Sequence, residues 1–117
     1  MKKIFSLIII CLLITGCGKK LYETIDTNRA IQLINEGASI IDVRELNEYN
    51  DGHIVDAINI PLSDIDNINI DKNTTLIIYC ATGVRSKEAV EKLANMGYTS
   101  LYNLDGGLIN WGGSLEK

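Results

Sequence analysis

The chain has 117 residues, 46% hydrophobic and 22% charged, which is one domain's worth of chain with the composition of a folded protein. Lys and Arg number 11 against 15 Asp and Glu, a net charge of −4 that argues against a basic nucleic-acid binder. No apolar run of about 18 residues follows residue 16, which excludes a multi-span membrane protein, and cysteines at 11, 17 and 80 are too few and too scattered for a disulfide framework or a zinc cluster.

In chain order, Met1-Lys2-Lys3 is a basic start and residues 4–13 form an apolar stretch of signal-peptide length. Ile14-Thr15-Gly16-Cys17 closes it. This segment resembles the lipobox of bacterial lipoproteins, in which an apolar residue and two small ones precede the cysteine. The resemblance implies cleavage after Gly16 and a lipid on Cys17. An uncleaved anchor helix is the alternative, disfavoured because the apolar run is short and ends in small residues. The expected organisation is a lipoprotein signal peptide over 1–16, a lipidated tether over 17–20 and a folded domain over 21–117. The domain would then be held at a membrane surface, on the extracytoplasmic side of a bacterial envelope. In that processed form Cys80 is the only free thiol.

Residues 21–25 read as a first strand. Asp26 suits a helix N-cap, and the helix over 27–36 places Ala30, Leu33 and Ile34 on one face with Gly37 after its end. Residues 39–43 are a β-branched run, hence a buried strand. A short helix over 45–50, a strand over 57–60 ended by Pro61 and a helical turn over 62–68 follow. Residues 74–79, Thr-Thr-Leu-Ile-Ile-Tyr, are the strongest strand pattern. A helix over 86–96 turns Ala89, Val90, Leu93 and Ala94 inward, with Gly97 after it. A strand over 99–103 and a last helix beginning at 108–111 complete the chain. Repeated strand–helix units predict an α/β fold, a mainly parallel central sheet flanked by helices.

The chemistry concentrates where the best strand meets the best helix. Strand 74–79 runs into Cys80-Ala81-Thr82-Gly83-Val84-Arg85-Ser86, and sites in open α/β sheets lie at the carboxyl ends of strands. A helix start there offers free N–H groups and the positive end of a dipole. Those donors favour a thiolate over a thiol. Gly83 permits the positive φ that curls N–H groups around one anion, and Arg85 adds a permanent charge. A lone cysteine at a strand end is ordinarily a small buried hydrophobe. Gly and Arg at these offsets favour an activated nucleophile instead.

The motif Cys80-x-x-Gly83-x-Arg85-Ser86 resembles the active-site loop of the rhodanese superfamily. Asp42-Val43-Arg44-Glu45 with Gly52-His53-Ile54, then Asn59-Ile60-Pro61, then Leu104-Asp105-Gly106-Gly107 with Trp111, are similar to that family's other signatures in the same order. The resemblance implies a single rhodanese-like domain and sulfur transfer. Cys80 would take a sulfane sulfur, become a persulfide and pass the sulfur to a thiophilic acceptor in a ping-pong cycle. The N–H groups of Ala81 to Ser86 would cradle that sulfur, and Thr82 would either supply a hydroxyl to the leaving group or simply favour helix entry. The implied partners are a small donor such as thiosulfate or polysulfide, or a persulfidated protein, and a thiol or cyanide acceptor. No cofactor, metal or nucleic acid is implied.

Four residues separate Cys80 from Arg85, whereas cysteine phosphatases use Cys-x-x-x-x-x-Arg. The tighter loop suits sulfur better than phosphate or arsenate. An arsenate reductase or a thiol redox protein would need resolving cysteines that the domain lacks. The rival from another class is a catalytically idle rhodanese-like binding module, which usually lacks the loop cysteine. Asp42 and Arg44 read mainly as a structural ion pair, and Glu48 as a partner that orients Arg85. His53 reads as structural rather than as a general base. Gly106 and Gly107 suit a tight turn, and Trp111 a core or rim position.

Overall fold

The computed structural model describes residues 21–117. Its strands are β1 (Glu23–Ile25), β2 (Ser39–Asp42), β3 (His53–Ile54), β4 (Ile58–Asn59), β5 (Leu76–Tyr79), β6 (Leu101–Leu104) and β7 (Leu115–Glu116). The helices are α1 (Thr27–Asn35), α2 (Leu46–Asp51) and α3 (Val84–Asn95), with 3-10 turns at Leu62–Asn67 and Gly107–Asn110. Five strands form one sheet in the order β1-β6-β5-β2-β4, every pair parallel. Parallel strands need crossovers, and the helices supply them on both faces.

Central β5 shows why. All four of its residues are buried. Leu76 and Ile78 face a cluster with Ile41, Ile65 and the α3 residues Ala89, Val90 and Leu93. Ile77 and Tyr79 face the opposite cluster with Ile25, Ile40, Leu104 and the α1 residues Ala30 and Leu33. A continuous apolar run is what a strand covered on both sides requires. Cys80 ends the run on the α3 side.

Local chemistry sets the helix ends. Asp26 caps α1 by accepting from the Arg29 N–H at 2.9 Å. Gly37 and Gly97, both at positive φ, close α1 and α3 with paired bonds back into the last turn, from Gly37 to Ile34 with Ala38 to Leu33, and from Gly97 to Ala94 with Tyr98 to Leu93. α2 starts with a capping box between Glu45 and Glu48.

Three expectations change. α3 begins at Val84 rather than 86, because Gly83 serves as the N-cap at φ 104° and lets the chain turn into the helix at once. The helix expected from 108 is a single 3-10 turn, since its N–H groups are drawn to other carbonyls and Gly112-Gly113 does not propagate helix. The antiparallel β3–β7 pair, His53 opposite Glu116 and Ile54 opposite Leu115, was not foreseen. Two-residue strands carry no readable alternation.

Candidate active site

The strand β5 ends against the start of α3, and the loop 80–83 folds back over its own cysteine. The Gly83 N–H donates to Cys80 Sγ at 3.0 Å and the Ser86 N–H at 3.4 Å. The Ser86 hydroxyl lies 3.5 Å from the same sulfur. Cys80 is 1% exposed and Ser86 fully buried. Burial by itself pushes the Cys80 thiol up. The Ser86 hydroxyl and the backbone N–H groups of Ser86, Gly83 and Thr82 outweigh it, so the thiol ends below its ordinary value. Ala81, Thr82 and Val84 contribute backbone to the loop, and the Val84 side chain is 75% exposed.

Arg85 turns away from the sulfur to Glu48 on α2. The contact is bidentate, Nη1 to Oε1 at 2.8 Å and Nη2 to Oε2 at 3.1 Å. The bonds from Arg85 and from the Glu45 N–H hold the Glu48 carboxyl down at about 2. The pair ties α2 to the start of α3.

Asp42 and Arg44 do not reach Cys80 through any hydrogen bond. Asp42 is fully buried at the end of β2. Its carboxylate accepts from the Arg44 backbone N–H, from Arg44 Nε and Nη2, and from the Tyr79 hydroxyl at 2.6 Å. Arg44 Nη2 also donates to the Gly52 carbonyl at 2.7 Å, and Tyr79 Oη accepts from the Ile54 N–H at 3.1 Å. Burial, then the bond to Asp42, keeps the Tyr79 phenol up and protonated. Asn59 donates to the Asp42 and Arg44 carbonyls. This network pins β2, β4, β5 and the 52–54 segment beneath the site. Asn59 was read only as a strand residue within a family signature and Tyr79 only as a strand residue, although a Tyr ending an apolar strand signals a hydroxyl in need of a partner.

The turn after β6 holds the loop from above. The Leu108 N–H donates to the Cys80 carbonyl at 2.9 Å and the Ile109 N–H to the Ala81 carbonyl at 3.1 Å. A Cβ on Gly107, which sits at φ 60°, would lie 2.4 Å from the Cys80 oxygen and 2.7 Å from the Ala81 carbonyl carbon. Gly107 therefore does more than turn the chain: it lets this segment lie directly on the cysteine loop, while Gly106 leaves room for the Asn110 side chain. His53 stacks on Tyr49 and bonds to the Tyr49 carbonyl and Glu116, outside the Cys80 set. Trp111 is a half-buried rim residue packed on the α1-side cluster. Cys17 lies outside the described residues.

A cysteine sulfur cradled by backbone donors between a parallel strand and a helix defines a class, and comparison supplies its family. The rhodanese-like domain family matches residues 26–114. The chain belongs to that family. A crystal structure of a rhodanese-like domain protein from Staphylococcus aureus superposes with a TM-score of 0.72 at 37% identity, over 80% of this chain and 96% of that one. Protein YqhL of Bacillus subtilis, itself uncharacterized, is 45% identical over 83 residues, 68% of this chain and 64% of the relative's length. Thiosulfate sulfurtransferase GlpE of Shewanella oneidensis is 28% identical over 93 residues, 77% of this chain and 92% of that protein.

Proposed function

We propose that the protein is a sulfurtransferase that carries sulfane sulfur on Cys80. The observation behind this is the set of donors on one sulfur, Gly83 N–H, Ser86 N–H and the Ser86 hydroxyl, at the head of α3. They favour the thiolate, which attacks the outer sulfur of a donor. The new Sγ–S bond forms as the donor's S–S bond breaks and its electron pair leaves on sulfite or a thiolate. The persulfide is itself an anion, so the same N–H groups and helix terminus that favoured the thiolate stabilise the carried sulfur. A thiol or cyanide acceptor then attacks the outer sulfur and Cys80 returns as thiolate. Asp42, Arg44 and Glu48 act beneath and beside the loop as positioning residues. The kinship with thiosulfate sulfurtransferases supports the reading, as does the four-residue spacing from Cys80 to Arg85.

The test is intact mass of the purified protein after thiosulfate or inorganic polysulfide, and again after cyanide, beside Cys80→Ser. One sulfur gained, lost with cyanide and absent in the variant is the expected result. Failure to load from thiosulfate, polysulfide and protein persulfides alike would move the reading to a binding module. The tether at the membrane surface through a lipid on Cys17 is part of the same proposal, supported by the signal-like residues 1–17.

A further inference from the structure

Three segments lie against the Cys80 loop or Arg85 and form the rim around it: residues 45–48 at the start of α2, 81–88 of the loop and α3, and 105–110 after β6. They carry two cations, Arg85 and Lys87, and four carboxylates, Glu45, Glu48, Glu88 and Asp105. Arg85 is paired with Glu48, which offsets much of its charge toward an incoming ligand. The inner cradle thus attracts negative charge while the rim repels it. All 15 acidic residues of the chain fall within 21–117, against 7 basic ones.

The rim is also apolar. Val84 at 75% and Ile109 at 74% are the two most exposed large hydrophobic side chains among the described residues, and Leu46 at 58% lies in the first turn of α2. Cys80 itself is 1% exposed, so a donor has to bring its sulfur down to the loop. A free dianion such as thiosulfate crosses a net negative, apolar rim and meets no unpaired guanidinium there. A protein side chain projecting from a basic and apolar surface has its charge complemented and its contact desolvated.

Resting on the sulfurtransferase reading, we propose that this rim is a docking surface for a partner protein that presents a persulfidated cysteine among basic and apolar side chains. In the step, Cys80 thiolate attacks the partner's outer sulfur. The Cys80 Sγ–S bond forms, the partner's S–S bond breaks, and the partner's cysteine leaves as thiolate, with no oxidant or reductant consumed.

Two synthetic persulfidated peptides of equal length test this on the purified protein, one with cysteine flanked by Lys and Leu, the other by Asp and Ser. Sulfur loading followed by intact mass should be about tenfold faster from the Lys/Leu peptide, and the contrast should shrink with added salt. Leu46→Ser and Ile109→Ser should each reduce the contrast, while Leu46→Ser keeps the wild-type rate with inorganic polysulfide. Equal rates from the two peptides, or faster loading from thiosulfate than from the Lys/Leu peptide, would overturn the proposal. No loading from any donor, polysulfide included, would instead sink the sulfurtransferase reading and the docking proposal with it.

Discussion

Ser86 serves Cys80 twice, through its backbone N–H and its hydroxyl. A hydrogen bond to a charged group contributes about 1.5–3 kcal/mol. Ser86→Ala removes one donor from the sulfur, so the thiol rises toward its ordinary value. The rate of Cys80 alkylation against pH should inflect below the ordinary thiol value in the wild type and move to higher pH in the variant. Glu48 supplies a second pH dependence, this one on stability. Its carboxyl sits at about 2 in the fold against an ordinary 4.5, so its stabilisation is full above 4.5 and disappears as pH falls toward 2. Both partners of the pair are about one-third exposed, which keeps its worth near 1 kcal/mol or less. Urea unfolding from pH 6 to pH 2 should show Glu48→Gln slightly less stable near neutrality and the gap closing in acid.

At the scale of elements, the site is a strand end, a helix start and a turn laid over both. Gly83 caps α3 in a left-handed conformation, and this brings its N–H to the sulfur. Gly107 allows the 107–110 turn to seal the Cys80 and Ala81 carbonyls, so the loop's oxygens face the turn while its N–H groups face the sulfur. Gly107→Ala puts a methyl into backbone at a positive φ. A cost of about 2–4 kcal/mol is expected from overpacking and left-handed strain together. Denaturant melts should show that loss, and sulfur loading should fall along with it because the loop is pushed off its carbonyl anchors.

Taken whole, the molecule is a parallel sheet wrapped on both faces, with the carboxyl ends of β1, β2, β4, β5 and β6 along one edge and the cysteine loop at its centre. Among the described residues no helix is long and apolar enough to cross a membrane. In the proposed reading the lipid at Cys17 supplies the membrane attachment. A radiolabelled fatty acid should mark the wild type and not Cys17→Ala, and mature wild type should run smaller than the variant by the mass of residues 1–16 once the lipid is allowed for. Absence of label on the wild type would count against the lipid tether and leave the Cys80 chemistry untouched.

Local signals were legible in the chain: the Asp26 cap, the glycines that stop α1 and α3, the all-apolar β5, and the Cys80-to-Ser86 loop with its cysteine at a helix entrance. These depend on residues a few positions apart, and short-range sterics and hydrogen bonding decide them. What the tertiary structure alone decided involves partners far apart in sequence. Tyr79 meets Asp42 across 37 residues, and Gly107 lies on Cys80. Those contacts exist because a parallel sheet returns every strand in the same direction and so gathers the loops at one edge. The β3–β7 pair has the same origin, since His53 and Glu116 become neighbours only once the chain has closed around that sheet.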